Sequence, residues 1–166
     1  MIGQNNGIKE QWDRIHRFRA ALDNYSVDQK TYEDMIWAFF QATHHLKDWI
    51  SSTNPGLALD VETAINNSSY LKIAADLGNR SKHMLLTRPR GGNADITRND
   101  AAVSLGTIVL TVSNGNIPTA APSISKPYVF WKYYAEVPGG SSFDQKDLAD
   151  LVIIEWKTYL TSKGLL

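Results

Sequence analysis

The sequence predicts a mainly α fold: a bundle of four main helices with a β-hairpin insertion before the last of them. Three observations predict it. Apolar residues recur at helical spacing in four long stretches. Between the third and the last of these, residues 103–112 are rich in β-branched side chains and precede Asn114-Gly115, a dipeptide suited to a tight hairpin turn. Clusters of Pro and Gly punctuate the chain at Asn54-Pro55-Gly56, at Pro89 with Gly91-Gly92, and at Pro138-Gly139-Gly140.

The first helix is expected over 9–24, from the spacing of Ile8, Trp12, Ile15, Phe18 and Leu22. Ser26 or Asp28 can cap the second, because a short side-chain oxygen satisfies free N–H groups there. Tyr32, Met35, Ile36, Phe39, Thr43, Leu46 and Ile50 form its stripe, and Trp37, Phe40 and Trp49 widen it. A helix apolar nearly all round belongs in the middle of a bundle. A short helix is expected over 57–66. Ser68 or Ser69 then caps a third long helix over 70–86, which Pro89 and Gly91-Gly92-Asn93 stop. In the insertion, 107–112 reads as a strand, 117–124 as an edge or irregular strand because it holds two prolines, and 128–137 as a strand or a helix, with the strand favoured. Residues 138–142 read as a loop. Asp144 caps a last helix over 145–162, which Ile153, Ile154 and Trp156 also mark as central.

The 166 residues fit one helical-bundle domain (1–166), with 88–142 as its insertion. Lys+Arg and Asp+Glu both number 17, which argues against coating nucleic acid by charge alone. The chain has no cysteine, so disulfides and Cys-type zinc sites are excluded, and a reducing cytoplasm is the expected location. No stretch has the roughly 18 consecutive apolar residues of a membrane span, and residues 1–10 are too polar for a signal peptide.

Polar residues cluster on the second and third long helices. His44 and Asp48 are four apart and His45 and Asp48 three apart, so each pair shares a helix face. Asp76, Arg80 and His83 line one edge of the third long helix, with Asn79 on the same side and Lys82 pointing elsewhere. An Asp beside a His orients the ring and favours its charged form, as a general acid or base near neutral pH requires. An Arg in such a site can hold phosphate. The bland alternative is a hydrogen-bonded structural network on bundle helices. Gly78, inside the helix, points to close packing or to close approach of a ligand.

His45, Asp48, Asp76 and His83 could also offer nitrogen and oxygen ligands to zinc, manganese, iron or nickel. Glu-x-x-His pairs and His-Glu-x-x-His are absent, and so are the P-loop, Gly-x-Ser-x-Gly and dinucleotide-binding glycine patterns, so no cofactor is expected. Lys72, Arg80, Lys82, Arg88, Arg90 and Arg98 outnumber Asp76 and Asp95 in their segment. The 87–92 loop could therefore contact phosphates, or simply be a solvated loop.

His45-Leu46-Lys47-Asp48-Trp49 and Asp76-Leu77-Gly78-Asn79-Arg80-Ser81-Lys82-His83 resemble paired H-x-x-D-W and D-L-x-N-x-x-K-H segments of uncharacterised small bacterial and phage proteins. The architecture resembles HEPN-type helical bundles, many of which are ribonucleases of toxin–antitoxin and phage-defence systems. That resemblance implies roles for His45, Asp48, Asp76, Asn79, Lys82 and His83; in an enzyme built on these helices Arg80 would stabilise developing negative charge. The sequence departs from the HEPN hallmark, an Arg followed after four to six residues by a His. Arg80 and His83 are separated by only two residues. Two functions therefore stand: a non-catalytic, antitoxin-like interaction module, and an enzyme acting on phosphate esters. The partner classes they imply are RNA or protein, a second copy of the chain included.

Overall fold

The computed structural model describes residues 5–24, 27–80, 89–92, 94–104, 128–137 and 142–166. The chain is a mainly helical bundle with an antiparallel β insertion before its last helix. α1 (Asn5–Ala21) starts earlier and stops earlier than its apolar spacing suggests. α2 (Gln29–Thr53) is capped by Asp28, whose carboxylate accepts the Thr31 N–H at 3.1 Å and the Thr31 hydroxyl at 2.6 Å. Beyond Asn54, Pro55 opens a single 3₁₀ turn (Pro55–Leu57) that leads into α3 (Ala58–Asn67). Ser68 leaves the helical conformation and its hydroxyl accepts the Leu71 N–H, which starts α4 (Ser69–Arg80). The remainder of the expected third long helix, 81–86, lies outside the described residues.

α2 is the central helix, in contact with α1, α3, α4 and with the last helix, α5 (Gln145–Ser162). Tyr32, Ile36, Phe39, Thr43, Leu46 and Ile50 of its predicted stripe are all buried. α5 begins at its predicted cap, with the Asp144 carboxylate accepting the Lys146 N–H at 2.9 Å. It is not central, however. Gln145, Leu148, Ala149, Val152, Trp156, Tyr159 and Leu160 bury one face, whereas Ile154 is 58% exposed. A run of apolar residues at consecutive positions cannot all face one neighbour, because each step turns the helix by about 100°. Arg19 ties α1 to α5 through two hydrogen bonds to the Asp150 carboxylate, at 2.7 and 2.8 Å.

The sheet has the order β1-β2-β3, all antiparallel: β1 is Asp95–Ser104, β2 Tyr128–Glu136 and β3 Ser142–Asp144. Pairing runs from Asp95 opposite Glu136 to Ser104 opposite Tyr128, with a register shift between Arg98 and Asp100. β2 follows the sequence expectation. β1 lies upstream of it: the polar run from Asp95 to Asp100, which β-propensity disfavours, pairs as a strand. Ser142, expected in a loop, belongs to β3. The expected strand 107–112, the Asn114-Gly115 turn and the 117–124 segment lie outside the described residues.

Tyr133 of β2 docks the sheet on the bundle. Its ring stacks on Tyr32 at 5.8 Å between centroids, and its hydroxyl donates to Glu33 Oε1 at 2.6 Å. Tyr32 in turn donates to the Leu22 carbonyl at 2.9 Å and accepts from Gln145 Nε2 at 3.0 Å. α1, α2, α5 and the sheet thus meet at one hydrogen-bonded tyrosine pair. No helix among the described residues is long and apolar enough to cross a membrane.

Candidate functional site

α2 and α4 pack closely because of Gly78. A Cβ there would lie 2.7 Å from both the His44 Cβ and the Phe40 carbonyl oxygen. Only a residue without a side chain lets the two backbones approach so far, so the packing explanation for this helical glycine holds. The contact sets the facing of the polar residues. His44 points at α4 and is 8% exposed. His45, one step of about 100° further round, turns toward α1. Asp48 is exposed.

Asp76, two residues before Gly78, is 1% exposed. A buried carboxylate needs partners, and the chain returns to supply them. The backbone N–H of Arg90 donates to one carboxylate oxygen at 2.6 Å, and that of Gly91 donates to the other at 2.8 Å. Gly91 makes this turn possible, since a Cβ there would meet the α4 backbone at Lys72 and Ile73 at 2.7–2.8 Å. Gly92 follows with φ +84°, in the left-handed region that glycine tolerates. Arg90 and Gly91 are therefore held against α4 and are not a loosely solvated loop. The Arg90 guanidinium is also engaged: it binds Glu62 of α3, which takes the Lys47 ammonium at 2.7 Å on its other oxygen.

These charges surround His44. Burial, followed by the positive charges of Lys47, His45 and Arg90, lowers its pKa from 6.5 to about 4, against a smaller opposing effect of Glu62. Its Nδ1 is buried and has no hydrogen-bond partner among the described residues. An imidazolium would carry an N–H there with no acceptor. His44 is consequently neutral at physiological pH. Burial pushes the Glu62 carboxyl up, but the hydrogen bonds from Lys47 and Arg90 outweigh it and leave the group below the usual carboxylate range.

His45 borders a different feature, an open groove of about 390 Å³ between α1 and α2. Gln11, Arg14, Phe18, Gln41 and Trp49 line it with His45. His45 and Trp49 are four residues apart and share this face, while the Asp48 side chain between them is exposed. No α4 residue borders the groove. The residues singled out in sequence thus divide. Asp76 and His44 belong to the seam between α2 and α4, His45 belongs to the α1 groove, and Asn79 and Arg80 are half-buried at the C-terminal end of α4. Lys82 and His83 lie outside the described residues. Among the described residues no group of three or more His, Asp or Glu side chains could hold a metal ion.

Sequence reasoning passed over Gln11 and Arg14. Gln11 offered a signal: it sits three after Ile8 and four before Ile15, so a polar side chain interrupts an apolar stripe. It is buried, and its Nε2 donates to the Ala42 carbonyl at 2.7 Å. Glu62 and the Arg90 and Gly91 backbone carried no such signal, because their roles depend on contacts across the chain.

No family model matches the chain, and no curated protein or solved structure matches it significantly.

Proposed function

We propose that the protein is a bacterial or phage accessory protein that acts as a non-catalytic helical interaction module, antitoxin-like in working by binding. The source class rests on the resemblance of the paired H-x-x-D-W and D-L-x-N-x-x-K-H segments. The observation that supports the non-catalytic reading is the use of Asp76. Both oxygens of this carboxylate accept backbone N–H groups of the turn at Arg90 and Gly91, which suits an anchor better than a group poised to exchange protons with a substrate. The Arg90 guanidinium of this turn is paired with Glu62. His44, the buried histidine of the seam, is neutral and has no hydrogen-bond partner at Nδ1 among the described residues.

The competing reading is an enzyme acting on RNA or another phosphate ester, with His45 or His83 as acid or base. In its favour, His45 borders an open groove that also holds Arg14. The test is cleavage of single-stranded RNA and of a chromogenic phosphodiester by the purified chain and by its His83→Ala variant. The module reading expects no turnover above the buffer control for either protein. Turnover that disappears in a His83→Ala variant with an unchanged circular dichroism spectrum would replace it with the enzyme reading.

A further inference from the structure

The turn at Arg90 and Gly91 is tied down by side chains, not by a helix or a strand ladder. Its two N–H groups both go to Asp76, and the Arg90 guanidinium adds an ion pair with Glu62. The charge of that guanidinium reaches His44, which lies buried in the seam that Gly78 closes against the His44 Cβ. The charges around His44 are unequal. Lys47 and His45 of α2 and Arg90 of the turn disfavour a proton on the ring, while Glu62 of α3 favours one. Both Glu62 oxygens are engaged, one by Lys47 and the other by Arg90. On α4, Asp76 commits both its oxygens to the turn, and Arg80 brings a further positive charge to the end of the helix.

An imidazolium at this position needs an acceptor at Nδ1 and relief from the cations around it. Lys47 and His45 are carried by the same helix as His44 and stay with it. Arg90 is different, because its turn can lift away without unwinding a helix. We propose that His44, Glu62 and the Arg90–Gly91 turn form a proton-sensitive latch, in which protonation of His44 releases the turn from Asp76 and Glu62 while the helices stay folded. The turn leads through buried Ala94 into β1, so the open latch frees the entry to the sheet. Opening takes away the Arg90 charge and lets water meet the new N–H. It thereby returns the ring from a pKa of about 4 toward its ordinary 6.5. The closed latch is fully favoured above pH 6.5 and loses that advantage as pH falls toward 4. Such an opening breaks two hydrogen bonds and one ion pair and leaves the buried stripe of α2 in place, so it is distinct from unfolding of the whole chain. It holds for a binding module and for an enzyme alike.

Hydrogen exchange of the full chain, resolved amide by amide at pH 7 and at pH 5 and corrected for the intrinsic rate, tests the latch. The Arg90 and Gly91 N–H groups should exchange faster than those of Val152 and Trp156 in α5 at both pH values. Their opening constant should rise from pH 7 to pH 5, by up to roughly twentyfold where the ring regains its full ordinary pKa. In His44→Gln, which keeps a polar side chain at the seam without a titrating ring, the rise should shrink to less than roughly twofold. A flat opening constant in the wild type would overturn the proposal, and that arm needs no variant. Exchange of Arg90 and Gly91 that merely keeps pace with α5 would overturn it too, since only global unfolding would then be at work. So would a rise that survives in His44→Gln, which would put the proton on another group.

Discussion

His44 couples protonation to unfolding. In the folded chain burial and neighbouring cations hold its pKa at about 4, against 6.5 when exposed. Between those values the unfolded chain binds the proton and the folded chain does not, so stability rises with pH across the window. The contribution is fully present above pH 6.5 and is lost as pH falls toward 4, at up to about 1.4 kcal/mol per pH unit. Glu62, held below its usual value of 4.5, adds a loss of the same sign that begins at the acid end of that window. Melting temperatures measured from pH 7 to pH 4.5 should therefore fall for the wild type and stay nearly flat for His44→Gln; parallel slopes would show that His44 is not the group responsible. At this scale the sequence was half legible. The spacing of His44, His45, Asp48 and Asp76 placed them on particular helix faces, and Asp76 does face inward. What each face meets could not be read, because the partners of Asp76 are backbone N–H groups fourteen and fifteen residues on, which carry no side-chain signature.

Helices were easier to read than strands. Their boundaries depend on neighbouring residues, and Asp28, Ser68 and Asp144 each cap the helix that follows, as short oxygen-bearing side chains do. β1 was not legible, because Asp95, Thr97, Arg98, Asn99 and Asp100 look like loop residues until β2 supplies a partner. That pairing is a long-range property, and the aromatic strand β2 imposes it on a polar edge strand. The helix–helix seam gives the prediction at this scale. Helix propensity alone favours Gly78→Ala by about 1 kcal/mol, but the new Cβ would press on the Phe40 carbonyl and the His44 Cβ at 2.7 Å. A backbone atom cannot swing aside, so α2 and α4 must separate, at a cost of roughly 1–3 kcal/mol. Urea denaturation of Gly78→Ala should show a net loss of stability; a gain would mean that the seam is looser than described.

Among the described residues the bundle and its insertion are joined at several places, the Tyr70–Phe143 ring contact included, and two of these joins are hydrogen-bonded. The Tyr32–Tyr133 pair holds β2 to α2. The Asp76 carboxylate holds the turn that leads through buried Ala94 into β1. Composition and periodicity reveal the bundle and its interruption, but neither junction, since both join residues remote in sequence. The same architecture accounts for the polar motif: Asp76 serves the join between bundle and sheet, and its removal should loosen the molecule rather than merely silence a site. Thermal unfolding of Asp76→Asn against the wild type tests that claim most directly, because the variant keeps the shape of the side chain and turns an acceptor oxygen into an N–H₂ facing a donor. The predicted result is a loss of roughly 2–3 kcal/mol, or a melting temperature lower by roughly 5–10 °C for a chain of this size. An unchanged melting temperature would contradict the account, and would return Asp76 to the candidates for chemistry.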